Sequence, residues 1–328
     1  MKNFTQPGLV PDERTEEQKA KDYQLKETIP MAVVLKWNRG LENAPAYSNR
    51  NQNGSGSCVG QSVAKALETL KKEVISAHPV YRRRFNYPQV GMWLQNAGDI
   101  VRKLGTTTEI LSPSQNMTEE QMSKSVDVET PISNYIYAFP DFKNIDEIAT
   151  AIELYKHCII TVGAEYGEWN LKPIYNGKLA NMYHAICGTY YFTDENGEKC
   201  IRIDESWGQD NPEHRILTES YLKLRGTGAM YLIPPVELPD DDKPKHTFNS
   251  YLRFGDNNFS VKMLQDILKY EKLFPINITS TGYYGNITAK SVLAFQRKYN
   301  VASEGELNQL QGKICGPKTI KKLNELYS

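Results

Sequence analysis

Hydrophobic spacing changes its period twice along this chain, and those two changes restrict the architecture more than any other feature. From Cys58, the stretch SCVGQSVAKALETLKKEVIS sets Val59, Val63, Ala66, Leu67, Leu70 and Val74 at helical spacing, and DEIATAIELYKH repeats that period. From Cys158 the pattern becomes extended. CIITVGAEY, HAICGTYYFT, EKCIRIDESWG and GAMYLIPP read as strands, with DENGE as a turn between two of them. The helical period then returns in SVKMLQDILKYEKL, NITAKSVLAFQRKYN and GPKTIKKLNELYS. Helices followed by strands, without regular alternation, predict an α+β layout. The last three helices predict a small all-α bundle. Between the two lies VELPDDDKPKHTFNS, acidic and aperiodic, which marks a linker at 237–248. The expected organisation is a polar arm over 1–28, an α+β domain over 29–236, the linker, and a three-helix domain over 249–328. A length of 328 residues suits about two domains.

Composition removes several function classes. Lysines and arginines number 39 and acidic residues number 39, so the chain lacks the basic excess that nucleic-acid affinity requires. No apolar run approaches the roughly 18 residues of a membrane span. MKNFTQPGLVPDERTEEQKAKDY has no apolar core of a secretion signal. The expectation is synthesis in a cytoplasm, with any outside action following lysis or another export route, and a monomeric protein. The five cysteines form no Cys-x-x-Cys pair, so neither a zinc ribbon nor a thioredoxin-type site is indicated, and no metal or cofactor is expected.

One cysteine stands apart. Cys158 and Cys187 lie inside apolar runs and read as small buried hydrophobes. Cys58 instead follows the polar loop NQNGSGS and opens a helix. A thiol near pKa 8.5 is mostly protonated at neutral pH, and a helix N-terminus or a nearby imidazolium lowers that value. Of the five histidines, His78, His157, His214 and His246 read as surface residues, whereas His184 opens the strand-like HAICGTYYF.

The company of these residues resembles the papain family of cysteine peptidases. QNGSGSCVGQSVAKALE is similar to that family's glutamine–loop–cysteine–helix block, HAICGTYYF to its histidine strand, and IDESWG to its Asn-Ser-Trp-Gly segment. IPMAVVLKW resembles the start of the mature enzymes, and HPVYRRR a shorter family echo. His184 and Glu205 follow Cys58 in the order, and near the spacing of about 130–150 residues, that the family keeps. The resemblance implies a two-lobed catalytic domain, helical lobe first and β-rich lobe second. It implies Cys58 as nucleophile, His184 as general base and Gln52 as oxyanion donor. It places Glu205 where the family has asparagine, giving a Cys-His-Glu arrangement that would hold imidazolium more strongly. Asp204 is the alternative orienter, although a strand turns it to the opposite face. Trp207 would shield the histidine, and Tyr183 would line the substrate cleft.

The last 75 or so residues resemble a helical peptidoglycan-binding domain. Val261, Leu264, Gln265, Leu268, the Gly282-Tyr283-Tyr284-Gly285 turn, Thr288, Val292, Phe295, Gln296, Gly312, Gly316 and Thr319 carry the likeness. Tyr283 and Tyr284 are its candidate wall-binding residues, and NVASEGELNQLQGK is longer than the family's usual turn. Together the two resemblances imply a cysteine endopeptidase cutting peptidoglycan peptides, as a phage-type lysin or virion-associated enzyme. The alternatives are a protein-processing protease with a docking domain and an inactive papain-fold binding protein. The arm 1–28 is much shorter than the family's inhibitory prosegments, so no conventional zymogen is expected, although the arm could cover the cleft.

Overall fold

The computed structural model describes residues 8–19, 22–29, 33–164, 182–208, 215–235 and 243–328. Two compact units emerge: residues 1–14 with Val34–Pro234, and Thr15–Val33 with Pro235–Ser328. The N-terminal arm is therefore divided. Its short helices α1 (Glu16–Lys19) and α2 (Leu25–Thr28) belong to the second unit, whereas the expected boundary ran at residue 29.

The first unit is α+β. Its helical part contains α3 (Cys58–Lys71), α4 (His78–Arg82), α5 (Leu94–Lys103) and α6 (Glu119–Met122). Strand β1 (Ile136–Ala138) and helix α7 (Ile145–Tyr155) lead into the sheet strands β2 (Cys158–Ala164), β3 (Met182–Thr193), β4 (Lys199–Asp204) and β5 (Arg215–Thr218). Helix α8 (Glu219–Arg225) then precedes β6 (Gly226–Ile233). The sheet order is β1-β6-β2-β3-β4-β5, and each described pairing is antiparallel. Val59, Val63, Ala66 and Leu67 of α3 pack with Ala185 and Cys187 of β3 and with Met230 and Leu232 of β6 in one core. That contact fixes the start of α3 against β3, the strand that carries His184.

Helix α3 buries its polar face as well, because it runs between the other helices and the sheet. Arg50 is 2% exposed and donates from Nη1 to Gln61 Oε1 (3.0 Å) and from Nη2 to the Ile75 carbonyl (2.5 Å). Its Nη2 also lies 3.5 Å from Glu68, whose carboxylate meets Lys65 at 3.3 Å. Removing one partner of such a buried charged group strands the others without solvation. Arg50→Ala is therefore expected to destabilise the first unit by about 3–5 kcal/mol. The check is a denaturant titration that follows this unit's transition against wild type.

Two histidines expected at the surface are buried instead. His157 is fully enclosed; its Nε2 accepts from the Leu232 N–H (2.9 Å), so Nδ1 carries the proton and faces Thr69 Oγ1 (3.1 Å). Burial lowers its pKa to about 3, holding it neutral. His78 is 8% exposed and lies by Ser112 and the Lys124 carbonyl. The sequence showed them at a helix end and before a proline, and tertiary packing closed over both. His214 lies outside the described residues.

The second unit holds helices α9 (Phe259–Tyr270), α10 (Asn286–Lys298), α11 (Glu304–Leu310) and α12 (Pro317–Tyr327), with strands β7 (Leu252–Arg253) and β8 (Ile314–Cys315) paired antiparallel. Three of the helices are the expected ones. The fourth, α11, forms within the long turn, capped by the Ser303 hydroxyl accepting from the Glu306 N–H. Val261, Leu264, Leu268, Val292, Phe295 and Leu323 form the core. A repeated device ties the helices together. Gln265 donates to Thr288 (2.9 Å) and Gln296 donates to Thr319 (3.0 Å), both across a separation of 23 residues. Gly282 (φ +81) and Gly312 (φ +69) take left-handed backbone conformations in the turns, and a Cβ at Gly312 would lie 2.0 Å from the Ala289 carbonyl. The expected linker ends earlier than 248, because His246 donates its N–H to the Tyr327 carbonyl (2.7 Å) and Phe248 is 2% exposed. Residues 236–242 lie outside the described residues.

Candidate active site

The loop before α3 is held from several sides, which sets the helix start. Gly56 donates its N–H to Glu119 Oε2 (2.9 Å), and Glu119 is itself held by Tyr81 and Arg84. Ser55 and Ser57 hydroxyls meet at 2.7 Å. Cys58 is the first residue of α3, and no acidic residue occupies the first helical turn to oppose a thiolate there. Its side chain is fully buried. Burial pushes the thiol up to about 12, and the backbone N–H groups of Ala185, Val59 and Cys58 offset part of that rise. The Ala185 interaction places the sulfur beside the residue that follows His184.

His184 is 3% exposed in β3, opposite Val162 of β2. Burial, and secondarily the Arg215 charge, lowers its pKa to about 3. Thiol and imidazole are thus both uncharged in this covered form. The Trp207 ring lies 5.0 Å from the His184 ring, centroid to centroid, tilted by 44°. Gln52, at 4% exposure, is fixed at both ends of its amide: Ser206 Oγ donates to Oε1 (2.6 Å), and Nε2 donates to the Ser55 carbonyl (2.6 Å). The Gln52 backbone N–H also reaches the Ser206 carbonyl (2.7 Å). The side-chain amide has a second N–H beyond the one given to Ser55.

Glu205 has two neighbours of opposite kind. Its Oε2 lies 3.9 Å from His184 Nε2, and its Oε1 lies 2.5 Å from Arg215 Nε. The shorter, charge-assisted contact is with arginine, so most of the carboxylate's charge is balanced there and not by the histidine. This changes the expectation drawn from the sequence, in which Glu205 served His184 alone and raised its pKa. Burial lowers the His184 pKa instead, the Arg215 charge adds to that fall, and neither was signalled by the linear sequence. Asp204 is turned to the other face as alternation requires, where Thr189 Oγ1 donates to it (2.5 Å) and Arg202 Nη2 lies at 3.3 Å. Tyr183 is 41% exposed on the strand beside His184. In the second unit the tyrosine pair separates. Tyr284 is fully buried with its hydroxyl donating to the Gly312 carbonyl (2.7 Å), so it is core and not part of a ligand groove. Tyr283 is half-buried with Lys26 Nζ 5.0 Å over its ring.

The charge balance gives a pH prediction. Arg215→Met removes a repelling cation and leaves Glu205 facing the imidazole, so the His184 pKa is expected to rise. Glu205→Gln leaves Arg215 uncompensated, so the pKa is expected to fall further. Histidine ring-proton shifts followed by NMR across a pH titration check both signs. Equal titration in the two variants would separate Glu205 and Arg215 from His184.

Among the described residues, no group of three or more His, Cys, Asp or Glu side chains could hold a metal ion, and no helix is long and apolar enough to cross a membrane. Residues 258–311 match the family model described as "Putative peptidoglycan binding domain". A search of curated protein sequences finds no match. Among solved structures, xylellain, a cysteine protease from Xylella fastidiosa, is similar with a TM-score of 0.57 at 16% identity, covering 71% of this chain and 98% of that one. Digestive procathepsin L2 proteinase from Tenebrio molitor larval midgut is similar with a TM-score of 0.50 at 14% identity, covering 70% and 78%. At these identities the likeness is one of fold. The chain accordingly combines a papain-like α+β fold with a helical domain that matches the peptidoglycan-binding family model.

Proposed function

We propose that this protein is a cysteine endopeptidase that cleaves peptidoglycan peptides. The observation that carries the reading is the meeting of Cys58, at the N-terminus of the buried helix α3, with the strand bearing His184, beside the anchored amide of Gln52. In the open form the helix dipole and the imidazolium favour a Cys58 thiolate. The thiolate attacks a peptide carbonyl, and the oxyanion is met by the second Gln52 amide N–H and the Cys58 backbone N–H. His184 delivers its proton to the leaving amine. Water, deprotonated by the neutral imidazole, then releases the acid and restores the thiol. Glu205, with Arg215, sets the orientation and basicity of the ring, and Trp207 keeps water from the contact.

The match at 258–311 supports wall peptides as the substrate, since a tethered domain raises the local concentration of its polymer. A lysin freed by membrane permeabilisation, or an enzyme carried by a virion, is the setting this reading favours. Incubation of purified walls with wild type and with Cys58→Ala tests it. Release of new amino groups by wild type alone is the expected result. Equal release by both would remove Cys58 from the chemistry, and release from casein but not from walls would move the substrate to proteins.

A further inference from the structure

Ser206 fixes Gln52 from the β4 side, and a second segment, residues 114–116, fixes its two chain neighbours from the other. Asn51 donates its backbone N–H to Gln115 Oε1 (2.7 Å), and its carbonyl accepts from the Asn116 N–H (2.7 Å). The Asn51 side chain donates from Nδ2 to Asn116 Oδ1 (2.7 Å) and accepts at Oδ1 from the Asn53 N–H (2.8 Å). Asn53 in turn donates from Nδ2 to the Asn116 carbonyl (2.9 Å). Residues 51 and 53 are thus both tied to Asn116, with Gln52 between them. On the opposite edge, Asn51 forms an antiparallel bridge to Trp207, and the Gly208 N–H reaches the Arg50 carbonyl (2.9 Å).

The backbone around Gln52 is unusual on both sides. Asn53 (φ +47), Gly54 (φ +76), Asn116 (φ +58) and Gly208 (φ +94) all hold left-handed conformations. Asparagine tolerates that region better than most side chains, which suits its presence at 53 and 116. Backbone in a sparsely populated region persists only where its surroundings fix it, and such residues gather at working sites. The holding segment has its own anchor. Glu109 accepts from the Ser114 N–H (2.5 Å), the Ser114 hydroxyl (2.6 Å) and the Gln115 N–H (2.9 Å). Gln61, in the first turn of α3, donates to the Ser114 carbonyl (2.9 Å). One segment therefore touches both the helix that begins at Cys58 and the loop that carries Gln52. Asn116 itself is exposed, so its contacts fill no core.

We propose that Asn51 and Asn116 are positioning residues for the oxyanion donor: they clamp residues 51–53 relative to α3, so that the second N–H of the Gln52 amide and the Cys58 backbone N–H are aimed at one developing charge. The role in the reaction rests on the proposed function; the clamp itself does not. An oxyanion is stabilised by donors within about 2.7–3.1 Å of where its charge develops, and donors held there beforehand need no reorganisation as the charge forms. A donor projecting from an unclamped loop must be ordered during the reaction. Losing the clamp should therefore weaken the transition state more than the ground state, and the loss falls on kcat. Ser206 fixes the acceptor end of the Gln52 amide, whereas Asn51 and Asn116 fix the backbone from which that amide projects.

The test is steady-state kinetics of the full chain on a soluble peptide, with amide hydrogen exchange across residues 50–54 as a second readout that needs no turnover. Asn51→Ala removes both contacts of that side chain. Asn116→Gly removes the other partner at a left-handed position that glycine accepts. Each should lower kcat about tenfold with KM little changed, a part of the roughly 10²–10³ that losing the donor outright costs. Each should also speed exchange of the Gln52 and Asn53 N–H groups while α3 stays protected. Asn116→Asp keeps the Oδ1 acceptor and should recover most of the loss seen in Asn116→Gly. In a Gln52→Ala background, neither Asn51→Ala nor Asn116→Gly should lower kcat further, because the effect passes through Gln52. An equal loss in both backgrounds would make the two asparagines merely structural and overturn the proposal. So would faster exchange with unchanged kcat, or a change in KM alone. A wild-type chain that cleaves no peptide would sink the peptidase reading, and exchange would then decide the clamp: wild-type protection in both variants would overturn it.

Discussion

His184→Ala is expected to lower kcat/KM on a soluble peptide by about 10⁴–10⁶, with the fold retained. Residues that act as one catalytic unit lose nearly the whole advantage when any one is removed. Here the imidazole has two tasks. It must take the thiol proton to make the nucleophile, and it must return a proton to the leaving amine. Neither is replaceable from nearby, because Glu205 is committed first to Arg215 at 2.5 Å and Asp204 faces the other side of the strand with Thr189 and Arg202. Truncating a residue that is 3% exposed also leaves a cavity, so the fold must be followed separately by circular dichroism. A loss of tenfold or less would remove His184 from the proton transfers.

The second large effect belongs to Gln52. Removing one oxyanion donor typically costs about 10²–10³ in kcat, because the interaction strengthens only as charge develops on oxygen. Gln52→Ala should therefore lower kcat with KM little changed. Ser206→Ala should show a milder form of the same defect, since the Ser206 hydroxyl donates to Gln52 Oε1 at 2.6 Å and fixes the amide's direction. Steady-state kinetics on a soluble peptide separate the cases. A change in KM alone would make Gln52 a ground-state contact.

Several of the site's parts were legible in the linear chain because local chemistry marks them. A thiol at the first residue of an amphipathic helix, after a loop of small residues, is visible without any tertiary information, and so is a histidine at the mouth of an apolar strand. Strand alternation likewise assigned Asp204 and Glu205 to opposite faces. The α+β order and the separate helical domain followed from the periods, since a helix and a strand bury one face at different spacings.

Charge balance and burial were not legible, because they depend on groups brought together from distant positions. Arg215 reaches Glu205 only when β5 lies beside β4, and its charge adds to the burial that lowers the His184 pKa. His157 reads as a helix end, yet it donates to and accepts from partners at Thr69 and Leu232. Tyr284 reads as a turn residue and is core, because its hydroxyl finds the Gly312 carbonyl in the next turn.

The N-terminal arm is the clearest division between the two kinds of information. Its polar, aperiodic composition gives it little local propensity, and its helices are only four residues long. Its described parts are held by partners far away in the chain: Gly8 and Val10 bond to Met92 within the first unit, and Glu27 accepts from Asn286 within the second. The linear sequence thus determined which side chains can do chemistry and which segments are helix or strand. Only the tertiary structure decided which of those side chains are charged, which are covered, and what covers them. Protonation and access are properties of the surroundings, and the surroundings come from residues far apart in the chain.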